Sequence, residues 1–152
     1  MTKAQRAKQM FDQGYNCGQA ILGVYAEELN LDMNTAMAIA SCTGGGLART
    51  RNVCGACIGM CMAAGLAVGY TSPDAVEQKT QTYAFMQGLL KDFEKENGST
   101  ICKVLLGLES DTGSYSCEKR PSECNKKRPC NELVASAVEI LERALEEKKK
   151  DK

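Results

Sequence analysis

Cys54 and Cys57, separated by Gly55-Ala56 and followed by Cys61, are the residues of this sequence best spaced for chemistry. At about 100° per residue, positions i, i+3 and i+7 share a helix face, so one stripe can carry all three sulfurs. A CxxC pair at a helix N-terminus is a device for lowering a thiol pKa, because the helix dipole favours the thiolate. Cys17, Cys42, Cys102, Cys117, Cys124 and Cys130 bring the total to nine cysteines, and the chain has no histidine. Imidazole general bases, imidazole zinc ligands and histidine haem ligation are thereby excluded. Ile58 stands where a c-type haem attachment motif requires histidine. What remains is sulfur chemistry: soft-metal ligation, disulfide exchange or nucleophilic attack by a thiolate. Beside that reading stands a plainer one for Cys57 and Cys61, since cysteine is a serviceable small apolar core residue.

Two further constellations accompany this pair. Gly44-Gly45-Gly46-Leu47-Ala48-Arg49 leads toward Cys54, and glycines before a helix can cradle an anion, with Arg49 or Arg51 assisting. No strand precedes it, which speaks against a phosphate-binding loop of the usual kind and for a turn that lets two helices pack. Cys17, Cys54, Cys102 and Cys130 each stand at or near an expected helix start, after Asn16, Val53, Ile101 and Pro129. Four such ends brought together would place four thiolates around one site, with helix dipoles opposing the concentrated negative charge. The spacing of these four matches no ligand motif by itself. Acid–base alternatives are thin: Glu27-Glu28 and Glu94 with Glu96 read as solvated helix faces.

The elements that must position these thiols read as helices. A first runs from about Lys3 to Gln13 and is closed by Gly14. Asn16 can cap a second from Cys17 to about Leu29, with Ala20, Ile21, Val24 and Leu29 as its apolar members. Asp32 or Asn34 can cap a third, through Met37 and Ile39 to Cys42. The fourth, Cys54 to about Gly69, is rich in small residues on all sides and should be buried. Its glycines each lower helix propensity by roughly 1 kcal/mol, a cost that close backbone approach would offset. Ser72-Pro73-Asp74 signals the start of a fifth helix, with Val76, Tyr83, Met86, Leu90 and Phe93 as its apolar stripe, and Gly98 ends it. A short helix follows around Thr100 to Leu106, and a last runs from about Asn131 to Lys149, buried through Val134, Ala137, Leu141 and Ala144. Between them, Gly107 to Pro129 is a polar stretch longer than an ordinary connection, which points to function or mobility. The expectation is an all-α fold: a single domain over residues 1–152, a bundle of about six helices with a long Cys-containing loop before the C-terminal helix.

Composition bounds the setting. A chain of 152 residues supports a hydrophobic core without a disulfide framework. Met1-Thr2-Lys3-Ala4-Gln5-Arg6 leads into a polar helix rather than the apolar stretch of a signal peptide, and no run reaches the roughly 18 apolar residues of a membrane span. A cytoplasmic protein without membrane insertion is expected, and in a reducing compartment clustered thiols are more often ligands or catalysts than disulfides. Nineteen basic and nineteen acidic residues balance, so no global field steers the chain toward nucleic acid. Whether it forms a homodimer is open at this level, as is the role of Cys42, Cys61, Cys117 and Cys124.

Phe11-x-x-Gly-x-Asn-Cys17, Gly44-Gly45-Gly46, Cys54-Gly55-Ala56-x-x-Gly59, Gly65-Leu66-x-x-Gly69, Cys102 and Cys130 together resemble the C_GCAxxG_C_C family of small redox-active proteins. The resemblance covers about Met10 to Leu145 and lays the family's four cysteines on Cys17, Cys54, Cys102 and Cys130. A related helical domain occurs in split-Soret cytochromes beside an iron–sulfur centre, which implies a cluster here without the haems. The resemblance therefore implies an iron–sulfur cluster on these four cysteines, used for electron transfer with a redox partner protein or for redox sensing. The five extra cysteines, at 42, 57, 61, 117 and 124, leave open which four are ligands. Two other readings stand beside it: thiol–disulfide catalysis by Cys54 and Cys57 without a cofactor, and a structural zinc ion held by four cysteines.

Overall fold

The computed structural model describes residues 1–107 and 129–151. Among these described residues seven α-helices follow in order: α1 Lys3–Asp12, α2 Cys17–Ala26, α3 Met33–Ala40, α4 Gly55–Val68, α5 Val76–Asn97, α6 Cys102–Leu106 and α7 Cys130–Lys150. One 3-10 turn, Ser41–Thr43, follows α3 directly. Among the described residues there is no β-strand, and the one isolated β-bridge joins Val53 to Ile101. The architecture is all-α as expected, with α6 a full element rather than an adjunct to six. The expected Cys-containing loop, with Cys117 and Cys124, lies outside the described residues.

Helix α2 is the centre of the body. Nine of its residues are buried, from Cys17 and Gly18 to Tyr25 and Ala26, and α1, α3, α4 and α7 all pack on it. Ile21, Leu22, Val24 and Tyr25 meet Met60, Ala63 and Ala64 of α4 and Leu133, Val134, Val138 and Leu141 of α7 in one continuous core. Each large apolar side chain so buried contributes about 1.5–3 kcal/mol. The small residues of α4 are explained by its approach to α2: a Cβ on Gly59 would lie 2.8 Å from Gly18 Cα and 3.1 Å from the Gly18 carbonyl oxygen. No side chain fits between these backbones.

Local signals set most boundaries. Thr2 and Gln5 form a capping box on α1, and Asn16 and Gln19 form one on α2. Asp32, rather than Asn34, caps α3, its carboxylate accepting from the Thr35 amide at 2.9 Å. Helix α2 stops at Ala26, short of the expected Leu29, and α3 stops at Ala40 before the 3-10 turn that holds Cys42. Ser72-Pro73-Asp74 does not begin α5. The Ser72 hydroxyl accepts from the Asp74 amide at 3.3 Å and its carbonyl from Ala75 at 3.2 Å. Such a hydroxyl turn serves the amide two residues on and competes with N-capping, so the helix starts at Val76. Gly98 ends it in the left-handed conformation at φ 97°. The expected stripe of α5 is buried at Phe93, half-buried at Met86 and Leu90, and exposed at Val76 and Tyr83.

Candidate thiol site

Cys17, Cys54, Cys102 and Cys130 come from four helix starts. Cys17, Cys102 and Cys130 are the first residues of α2, α6 and α7, and Cys54 is the N-cap of α4. Each is delivered by a specific local device. Asn16 holds the start of α2: its Oδ1 accepts from the Gln19 amide at 2.8 Å, while its Nδ2 donates to the Ala40 and Ser41 carbonyls. The buried Thr43 hydroxyl, 2.8 Å from the Ala40 carbonyl oxygen and 2.9 Å from Asn16 Oδ1, locks the 3-10 turn to that cap. Gly55 lets α4 begin against Cys17, since a Cβ there would lie 3.1 Å from Cys17 Cβ and 2.5 Å from the Thr43 carbonyl oxygen.

The segment before Cys54 is clamped to the start of α6. The Cys54 amide donates to the Thr100 carbonyl and the Cys102 amide to the Asn52 carbonyl, both at 2.7 Å, on either side of the Val53–Ile101 bridge. Upstream of this clamp the chain runs left-handed through Gly45, Gly46, Leu47, Ala48 and Arg49, and again at Arg51, with φ between 52° and 71°. A left-handed conformation costs an L-residue roughly 1–2 kcal/mol. Long-reach backbone bonds hold it, among them Ala48 N to Cys42 O at 2.7 Å and Arg51 N to Gly45 O at 2.9 Å. Gly46 brings the turn onto the thiol site, where a Cβ would lie 2.5 Å from Cys102 Cβ. The glycine run is therefore a packing device for Cys102, in agreement with the turn reading of the sequence.

The thiols sense one another. The Cys17 thiol hydrogen-bonds to Cys130, and this contact, with burial and the nearby Cys54, Cys130 and Cys102 sulfurs, holds its pKa well above the usual value. Burial pushes Cys102 up to about 11, against the opposing influence of Arg51. Cys54 goes the other way: a hydrogen bond from the Cys57 thiol, with the Ala56 and Cys57 amides, lowers its pKa despite burial. Cys57, the donor of that bond and itself buried, is raised far above the usual thiol range. The lowered thiol expected at the start of α4 is Cys54, held down chiefly by the Cys57 hydrogen bond, whereas the Cys130 contact with burial raises Cys17 and burial raises Cys102.

None of the seven described cysteines is in a disulfide. Among the described residues no three cysteine or carboxylate side chains close into a ready metal cage. Among the described residues Cys17 bonds to Cys130 and Cys54 to Cys57, while Cys17 and Cys102 also feel the nearby Cys54 and Cys130 sulfurs. Their chemistry still fits a soft metal centre: all-sulfur donors, three of the four buried, on backbone that Gly46 and Gly55 admit where a Cβ would collide. Cys61 lies apart, lining a largely apolar recess of about 340 Å³ with Val53, Cys57, Ile58, Met62 and Leu90. Burial raises its pKa to about 11. Cys42 is exposed on the 3-10 turn. Arg51, a candidate anion ligand by its place after the glycines, has its Nη1 3.9 Å from Cys102 Sγ. Thr43, which ties two cysteine-bearing segments together, had no sequence signal, because its role depends on the tertiary approach of Asn16.

The chain belongs to the C_GCAxxG_C_C family: residues 15–144 match the family described as "Putative redox-active protein (C_GCAxxG_C_C)". A protein of Archaeoglobus fulgidus, described only as an uncharacterized protein, is 29% identical over 160 residues, spanning 98% of this chain and 99% of the relative. No solved structure matches the chain. Among the described residues no helix is long and apolar enough to cross a membrane.

Proposed function

We propose that this redox-active protein holds an iron–sulfur cluster on Cys17, Cys54, Cys102 and Cys130. It would use that centre, in a reducing cytoplasm, to exchange single electrons with a protein partner or to sense redox conditions. What supports the reading is that these four cysteines stand at four separate helix starts, with Cys17 bonded to Cys130 and within electrostatic reach of Cys54 and Cys102, in a chain without histidine. All-thiolate ligation is what such clusters use, and when bound they supply a one-electron couple. The protein's own part is to keep water away, since Cys17, Cys54 and Cys102 are no more than 8% exposed. It must also let the thiol protons leave, for which Cys54 is the most prepared.

The Cys54–Cys57 hydrogen bond favours a second reading, thiol–disulfide exchange with Cys54 as the attacking sulfur. Exposure favours the first. Reactive exchange cysteines are partly open to their partners, yet Cys54 is 4% and Cys57 0% exposed. A buried pair cannot receive a protein disulfide without local opening, so the metal reading leads.

Anaerobically purified protein, with iron, zinc and acid-labile sulfide quantified on the same sample, tests it. Broad sulfur-to-iron absorption bands with matching iron and sulfide are expected, and Cys54→Ser should lose them. Undiminished colour in Cys54→Ser would sink the ligand assignment. Colourless protein carrying zinc would support a structural metal instead. Protein with neither metal after reconstitution would move the chemistry to Cys54 and Cys57.

A further inference from the structure

We infer that Arg51 is the charge-compensating residue of the four-thiol site, positioned to stabilise the anionic form of its Cys102 side. The inference rests on the metal-binding reading above and extends it to a residue outside the cysteine pattern. Three observations converge on it. The Arg51 guanidinium lies 3.9 Å from Cys102 Sγ in a partly buried setting, across 51 positions of sequence. Its backbone is fixed to the same element, because the Arg51 carbonyl accepts from the Lys103 amide at 3.3 Å and the Asn52 carbonyl from Cys102 at 2.7 Å. The chain also adopts the left-handed conformation at Arg51, φ 63°, at the end of the left-handed run that begins at Gly45. Strain of this kind persists only where the surroundings over-determine it, and what this segment delivers is a fixed cation beside a sulfur.

The charge balance gives that cation work to do. When four thiols bind a divalent ion, four protons leave to solvent and the centre is left doubly negative. Removing such a charge from water is costly unless an opposite charge or hydrogen bonds face it. The guanidinium is permanently protonated and supplies both. At 3.9 Å from the sulfur the guanidinium is near enough for a tenfold effect on binding. Any added electron increases the negative charge, so the same cation favours the reduced state of a redox centre.

Titration of metal-free, reduced protein with Co²⁺, followed through its sulfur-to-cobalt absorption, reads this directly. Arg51→Gln should weaken Co²⁺ binding about tenfold, while Arg51→Lys, which keeps the charge, should stay within about threefold of the parent. On protein reconstituted with iron and sulfide, Arg51→Gln should lower the reduction potential. A tenfold shift of a one-electron equilibrium is about 59 mV. Far-UV circular dichroism of each variant checks the fold. Should Arg51→Gln misfold, Arg51→Lys carries the test, because a loss of binding in a folded, equally charged variant would overturn a role by charge. Unaltered affinity and potential in folded Arg51→Gln overturns the Arg51 role alone. Parent protein that takes up neither Co²⁺ nor iron and sulfide overturns the four-thiol reading, and the role of Arg51 with it.

Discussion

Cys54 and Cys57 show how two identical side chains three positions apart acquire opposite characters. Cys54 precedes the helix and collects hydrogen bonds from the Cys57 thiol and two amides, so its anion is stabilised; Cys57, one turn in, is sealed in the core. Cys57→Ala should therefore raise the Cys54 pKa, because its first stabilising donor is gone while burial persists. Thiolate ultraviolet absorbance against pH in the metal-free protein would show the shift. The same variant should retain metal, since Cys57 is outside the proposed ligand set; metal content lost with Cys57 would redraw that set. The sequence revealed the CxxC spacing and the favoured sulfur. It could not reveal that both sulfurs are shut from solvent, because burial depends on which elements cover the N-terminus of α4.

Between α2 and α4 the decisive feature is the absence of side chains. Gly59 faces Gly18 Cα, and Gly59→Ala must push the two helices apart. Overpacking of this kind costs about 1–3 kcal/mol, against which alanine's better helix propensity returns roughly 1. A net loss of about 1–2 kcal/mol is expected in urea denaturation, with weakened Co²⁺ uptake because Cys17 and Cys54 sit at the ends of the separated helices. Gly65 in the same helix is the control: a Cβ there meets Met86 Cε at an ordinary 3.8 Å. Gly65→Ala should be neutral or stabilising by up to about 1 kcal/mol. The glycine-rich composition of α4 made close approach legible in the sequence, as apolar periodicity and capping residues did for most helix boundaries. Which glycine faces a backbone was not legible, nor was the left-handed run from Gly45 to Arg49. Gly45 and Gly46 suit that path, but Leu47, Ala48 and Arg49 do not, and long-reach backbone bonds between the 3-10 turn behind it and the clamp to α6 ahead of it hold them there.

Across the whole molecule, burying several thiols makes stability depend on pH in a direction opposite to metal binding. Cys61 and Cys102 are raised from an ordinary value of 9.0 to about 11, and Cys17 and Cys57 are also raised. Above pH 9 the unfolded chain releases these protons while the folded chain keeps them. The unfolded state then binds fewer protons, and the free energy of unfolding falls as pH rises. Cys54, with its lowered pKa, acts in reverse and only below 9, where it adds stability as pH rises toward that value. Cys61 and Cys102 alone should thus cost the reduced, metal-free protein roughly 2–4 kcal/mol between pH 8 and about pH 10.5, after allowance for water screening at the partly open Cys61, and Cys17 and Cys57 act in the same direction. Urea midpoints under strong reductant would measure it, and a flat profile would mean that the thiols are solvated in the folded state. Metal binding requires the Cys17 and Cys102 protons among these to leave, so Co²⁺ affinity should climb over the range in which the metal-free fold weakens. A site built on buried neutral thiols is stable while empty near neutral pH and becomes anionic when a metal displaces the protons, the moment at which a fixed guanidinium beside Cys102 matters most.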